Sequence, residues 1–281
     1  MAMKFEDAFN PFRALRHGVE SMKRAPAPVL VAGLLLFALQ ACSGGGNYRM
    51  PGGSDSPWHT GSSGMDAAMI GLMVMFAVIG LGCAAVVLAV RSFIEPGTYR
   101  VGEAITIDGT TGMDRLFSGK DVWLSVLGYR LLTAAISLGV TAVCALPGGL
   151  LLALAYVKGQ HGGDPPVPLL VLGGLLIAAL VVPVMLYVWL GLQLGTVAIA
   201  LERLGTMAAL DRSWTAARGN RLRLLWYDIV NMGLSMVGVM LCCVGLIPVY
   251  GIQACAMANA WLLYTRDDYE SFDLVKTIGA F

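Results

Sequence analysis

The apolar positions of this chain gather into long runs, and the charged positions into short segments between them. Runs without Asp, Glu, Lys or Arg cover residues 25–48, 67–90, 131–157 and 165–201, and a fifth, 224–264, is interrupted only by Asp228. A helix needs about 20 residues at 1.5 Å each to cross a hydrocarbon core of ~30 Å. The first three runs therefore predict one span each. The run 165–201 predicts one long span that Pro183 could kink, and the last run predicts two crossings around a turn near Cys243–Pro248, where Gly and Pro interrupt the helix. The expected fold is an all-α, polytopic integral membrane helical bundle of six transmembrane helices, with spans at about 26–43, 66–91, 122–157, 167–201, 224–244 and 246–265.

The charged segments supply an orientation. Sixteen of the nineteen Lys/Arg residues lie in 1–24, 91–121, 201–223 and 266–281, and a six-span path beginning inside leaves only Arg49 and Lys158 in outer loops. By the positive-inside rule both termini are expected on the cytoplasmic side of a bacterial inner membrane. Splitting 165–201 into two crossings would send the five arginines of 201–223 outward, against that rule.

Within these basic segments the period changes to that of short amphipathic helices. In 1–24, Asn10 can cap a helix whose first residue is Pro11, and Phe12, Leu15, Val19 and Met22 form one apolar face bordered by Arg13, Arg16, Lys23 and Arg24. In 201–223, Thr206 is the expected cap, Met207, Leu210 and Trp214 the apolar side, and Gly219 the left-handed end. Arg212, Trp214, Arg218 and Arg221 then face lipid headgroups or a partner. In 91–121, Pro96-Gly97 reads as a turn, and Met113, Leu116 and Phe117 as a short interfacial helix. The organisation is thus a cytoplasmic amphipathic segment at 1–24, a membrane domain at 25–265 containing a flexible Gly/Ser-rich outer loop at 43–64, and a cytoplasmic tail at 266–281. Short interfacial helices line the cytoplasmic face.

Composition agrees with the patterning: 57% of residues are hydrophobic and 13% charged, far from the balance of a water-soluble domain. A net charge of +1 gives nucleic acid no electrostatic footprint. Membrane lipids are the expected partners, with other membrane proteins or a second copy of the chain as further possibilities.

Ionisable groups inside a membrane are expensive and so mark candidate sites. Arg130 in the third span and Asp228 in the fifth lie at similar depth and are expected to pair, as part of an ion or proton path, as a structural ion pair, or as two side chains snorkelling independently. Gly191 and Gly195 in the fourth span form a small-xxx-small pattern for helix packing or homodimerisation, with Gln193 between them. Pro147-Gly148-Gly149 marks a kink, a helix end or a broken helix. Cys42, Cys144, Cys242 and Cys243 fall near the outer face, either as free thiols or in a disulfide. Leu39-Gln40-Ala41-Cys42 resembles a lipoprotein box, though the preceding segment is long for a signal peptide. No catalytic constellation, cofactor motif or metal pattern is found.

The stretch Ala198-Ile-Ala-Leu-Glu202-Arg-Leu-Gly205, then Ala208-Ala-Leu-Asp-Arg212-Ser-Trp214 and Arg218-Gly-Asn-Arg221, resembles a bacterial polytopic membrane family. That family includes the membrane domain attached to some glycerophosphodiester phosphodiesterases. Gly97-Thr-Tyr-Arg100, Gly102-Glu103, Leu116-Phe-Ser-Gly119 and Cys242-Cys-Val-Gly245 fit the same pattern, which covers roughly residues 10–265. The resemblance implies a helical membrane bundle and carries no catalysis, since the phosphodiesterase domain itself has no counterpart here. The chain departs from the pattern in the Gly/Ser loop at 43–64 and around 158–167. The expected function is a non-enzymatic accessory or scaffold protein of the inner membrane. The alternative is a small transporter or channel subunit with a polar path near Arg130, Asp228 and Gln193.

Overall fold

The computed structural model describes residues 10–44, 63–109, 111–160, 167–240 and 245–265. The expectations placed on Cys242 and Cys243, on the side chain of Cys42, on loop residues 45–62 and on the tail 266–281 lie outside the described residues. Among those described, the chain forms nine α-helices and one 3-10 segment, with no strand. The helices are α1 (Pro11–Arg24), α2 (Pro26–Gly44), α3 (Ser63–Asp108), α4 (Trp123–Gln160), α5 (Val167–Leu192), α6 (Gly195–Glu202), α7 (Thr206–Ala217), α8 (Arg221–Met240) and α9 (Leu246–Thr265). The 3-10 segment, Met113–Asp121, links α3 to α4.

Among the described residues, four stretches are long and apolar enough to cross a membrane: Val74–Asp108, Trp123–Lys158, Val167–Glu202 and Leu246–Thr265. A fifth forms if α1 and the start of α2, bent by 117° at Ala25, count together. Val167–Glu202 runs as one path through α5 and α6, and the helix is interrupted at Gln193-Leu194, with Pro183 inside α5.

Two sequence signals take a different form in three dimensions. Pro96-Gly97 makes no turn, because both residues lie inside α3, which continues to Asp108. Gly97 is needed for packing: a Cβ there would meet the Leu116 carbonyl of the 3-10 segment, and one at Gly119 would meet the Phe93 carbonyl of α3. Pro147-Gly148-Gly149 neither ends nor breaks α4. Gly148 instead faces Gly173 of α5, each occupying space that a side chain on the other helix would need.

The packed interior lies at the end of the bundle that carries the charged segments. There α9 is the central element: Trp261, Ala258 and Ala256 are fully buried, and α1, α2, α3, α6 and α8 all contact this helix. Backbones approach closely because the contacts fall on small residues, with Gly18 of α1 on the Ile252 carbonyl, Gly33 of α2 on Ile247 and Gly251 of α9 on Val29. Away from this end, α4, α5 and the first half of α3 present Leu81, Leu138, Leu150 and Leu175 outward.

A charged joint fixes α3 to the elements around it. Arg100 is buried, donates Nε to the Ala200 carbonyl at 3.0 Å, and makes a fork to both Asp121 oxygens at 2.7 and 3.1 Å. The same guanidinium reaches the Ser118 carbonyl, and its hydrogen bonds hold the Asp121 carboxyl below its ordinary range. Nearby, Trp261 donates Nε1 to Glu202 at 2.9 Å, and Glu202 also pairs with Arg212 at 3.5 Å.

Candidate functional site: a polar layer and its cavity

Most of the long helices contribute a polar side chain to a layer of two hydrogen-bonded groups, facing one cavity, where the packed end gives way to exposed apolar helix. The hub of one group is Glu95 of α3. One helical turn away, Arg91 donates Nε to Glu95 Oε2 at 3.3 Å, and Tyr99 donates its hydroxyl to Oε1 at 3.1 Å. From α4, Arg130 donates Nη2 to the same Oε2. Arg91 extends the layer to α2 by donating Nη1 to Gln40 at 3.3 Å. On the other side, Gln253 of α9 donates Nε2 to the Asn231 carbonyl of α8 at 2.9 Å and to the Ser235 hydroxyl at 3.0 Å.

The expected pairing of Arg130 with Asp228 is therefore replaced. Arg130 is held by Glu95, and no ion pair joins Asp228 to a cation among the described residues. The neighbour of Asp228 is the neutral side chain of Gln193, at the break between α5 and α6. The sequence pattern ends the second span near 91 and leaves Glu95 in a charged segment outside it. Because α3 continues as a helix, Arg91 and Glu95 enter the layer at i, i+4 spacing, and the nearer carboxylate takes Arg130. That spacing was the signal available in the sequence.

A cavity of about 260 Å³ opens in this layer between α2, α3, α8 and α9. Arg91, Glu95 and Tyr99 form one wall, and Asp228, Asn231 and Gln253 another, with apolar contributions from Leu36 and Met257.

The other sequence candidates fall at the break and on α7. Gly191 and Gly195 receive aromatic rings where bare helix backbones were expected: a Cβ at Gly191 would strike Trp214, and one at Gly195 would strike Tyr129. Tyr129 then donates its hydroxyl to the Leu192 carbonyl at 2.5 Å, satisfying an acceptor that the break would otherwise strand. Ser213 does the same for the Gly191 carbonyl at 2.8 Å. Thr206 caps no helix; Gly205 is the N-cap of α7, and the Thr206 hydroxyl donates to the Ser125 carbonyl at 3.1 Å, tying α7 to α4. Arg221 lies over the Tyr187 ring at 3.2 Å and near Trp214 at 4.5 Å, so its charge is already occupied by two aromatic faces. Arg218 ends α7, is exposed, and precedes Gly219 at φ +83°.

Both short helices dock by their small residues. Helix α1 is capped by Asn10, whose side chain accepts from Phe12 N at 3.2 Å, and it buries Ala14, Gly18 and Ser21 while Phe12 and Val19 stay exposed. Helix α7 buries Ala209, Ser213 and Ala216 and leaves Met207 and Trp214 exposed. His17 is buried with the small face of α1, and desolvation, reinforced by Arg13, Arg16 and Arg24, lowers its pKa to about 4.

An all-helical chain with several membrane-length apolar helices and a buried polar layer is the class of protein this geometry defines. The chain belongs to the family described as a domain of unknown function, DUF7847, whose pattern it matches over residues 12–262. No curated protein and no solved structure matches it.

Proposed function

We propose that this chain is a non-enzymatic, six-span protein of the bacterial inner membrane with both termini cytoplasmic, acting as an accessory or scaffold that contacts lipid headgroups or partner proteins at its cytoplasmic face. The observation that carries this reading is the inverted docking of α1 and α7. Each turns small residues to the bundle and leaves bulky apolar residues outward, Phe12 and Val19 on one and Met207 on the other, while Met22 and Leu210 pack partly against the core. Exposed apolar side chains beside Arg13, Arg16 and Arg212 are what a helix lying at the headgroup boundary presents. The six-span count takes α2 and α8 as the additional crossings, with α1 outside the span. Kinship with the membrane domain of glycerophosphodiester phosphodiesterases is part of the same proposal and rests on the residues around Glu202 and Arg212.

Spin labels at Phe12→Cys and Met207→Cys in lipid nanodiscs test this. Collision with a hydrophobic relaxer such as oxygen should exceed that with a soluble nickel chelate at both sites. Labels equally open to the chelate, as at a water-facing site, would overturn the interfacial placement.

One observation favours the second reading, a transporter or channel subunit. The cavity in the polar layer places Asp228 against a space large enough for a small solute.

A further inference from the structure

A basic and an acidic side chain, Arg91 and Asp228, face the same cavity with no ion pair between them. On the α3 wall, the carboxylate of Glu95 is shared between Arg91 and Arg130, so the three groups together keep one positive charge. Arg91 and Glu95 line the cavity and Arg130 lies behind them; Arg91 Nε and Nη1 are engaged by Glu95 and Gln40, leaving Nη2 directed to neither. On the α8 wall, Asp228 has the neutral amide of Gln193 for a neighbour, which cancels no charge, and its Oδ2 is buried without a hydrogen-bond partner among the described residues. Gln253 spends its amide nitrogen on Asn231 and Ser235 and so keeps its carbonyl oxygen as an acceptor beside Asp228.

In a weakly polar environment such separated charges attract strongly, and an occupant must complement both. A simple cation matches Asp228 and is repelled by the Arg91 wall. A simple anion has the reverse difficulty, and an apolar occupant leaves both charges unsolvated. A molecule carrying both charges a few bonds apart satisfies both walls, and about 260 Å³ limits it to a small one.

We infer that the cavity between α2, α3, α8 and α9 binds a small zwitterion, its anionic group on Arg91 and its ammonium on Asp228 and the Gln253 carbonyl. Two sources share this chemistry: the headgroup of an aminophospholipid entering from the bilayer, and a free amino-acid-like solute. The inference goes beyond the headgroup contacts of α1 and α7 and does not depend on them.

The test uses the full chain purified in detergent and titrated calorimetrically with glycerophosphoethanolamine, glycine, ethanolamine and glycerol phosphate. At least one zwitterion should bind ten-fold or more tightly than ethanolamine or glycerol phosphate, each of which carries charge of one sign only. Asp228→Asn and Arg91→Gln should each weaken that binding at least ten-fold, while Asp228→Glu and Arg91→Lys keep it within about three-fold. If the neutral variants fail to accumulate, the wild-type probe series and the charge-preserving variants decide. Native mass spectrometry distinguishes the sources: phosphatidylethanolamine retained by the wild type and lost from both neutral variants identifies the lipid, whereas glycine binding without retained lipid identifies the free solute. Ethanolamine or glycerol phosphate binding as tightly as the zwitterions, unchanged affinity in both neutral variants, or neither zwitterion binding with no lipid retained would overturn the inference.

Discussion

Helix α9 and the outer part of α3 are both apolar enough to cross a membrane, yet 67% of the most apolar window of α9 is buried against protein and 0% of that of α3. The buried helix is also the less hydropathic of the two, and it differs in where its small residues sit. Helix α9 brings Gly251, Ala254, Cys255, Ala256 and Ala258 to its neighbours, so their backbones approach closely from several sides. The exposed helices display Leu, Val and Ile, which form a surface that lipid tails can cover as well as protein can. Small residues mark the packed end only where a neighbouring backbone meets them, since Gly71, Gly80 and Gly82 in the outer part of α3 have nothing within 4 Å of an added Cβ.

The largest effect is expected where the two environments meet. Glu95→Ala leaves Arg91 and Arg130 without their carboxylate, and breaking such a buried pair costs about 3–5 kcal/mol. The variant should lose most monodisperse protein in a thermal challenge followed by size-exclusion chromatography. Wild-type behaviour would remove the layer from the forces holding the bundle together. Next come paired glycine substitutions. Gly33→Ala drives a methyl into the Ile247 carbonyl and should destabilise by about 1–3 kcal/mol, whereas Gly139 has nothing within 4 Å of an added Cβ and its change to Ala should be neutral or slightly stabilising. Equal melting temperatures for the two would erase the distinction between the packed and exposed ends.

A pH experiment sharpens the comparison at the packed end. His17 binds its proton more weakly when α1 is docked, at about 4 against an ordinary 6.5, so the undocked state takes up more protons between those values. Docking stability is therefore fully present above pH 6.5 and declines as pH falls toward 4. The loss between pH 7.5 and 5.5 should be about 1 kcal/mol. Hydrogen exchange of α1 should accelerate over that range, and His17→Gln should flatten the response; an identical response in the variant assigns the titration elsewhere. The smallest effect belongs to the exposed end, where Leu138→Ala should change stability by no more than about 0.5 kcal/mol. A melting-temperature loss as large as that of a core truncation would show that protein, and not lipid, covers this face.

The long apolar runs revealed helical class, the approximate positions of most long helices, and the ends at Asn10 and Gly219, because each depends on neighbouring residues alone. The partners within the polar layer depended on where α3 stops. Arg91 and Glu95 look like loop charges in the sequence because a proline follows them, yet Gly97 and Gly119 let the 3-10 segment lie against an unbroken helix. Likewise, the glycines at 191 and 195 announced close approach without announcing its source, since Trp214 and Tyr129 arrive from α7 and α4. The apolar stripe of α1 was legible in the sequence, while its docking face, Ala14, Gly18 and Ser21, has helical spacing but little hydrophobic contrast.

The contacts of Gly18 and Gly33 with Ile252 and Ile247 also set an order of assembly. Helices α1 and α2 leave the ribosome early, and the surface they need belongs to α9, the last described helix. At roughly 5–20 residues per second, synthesis separates the two by tens of seconds. During that interval the small-residue faces of α1 and α2 lack their native cover, so a membrane insertase or chaperone that shelters them would raise the yield of this chain more than that of a bundle built from sequential hairpins.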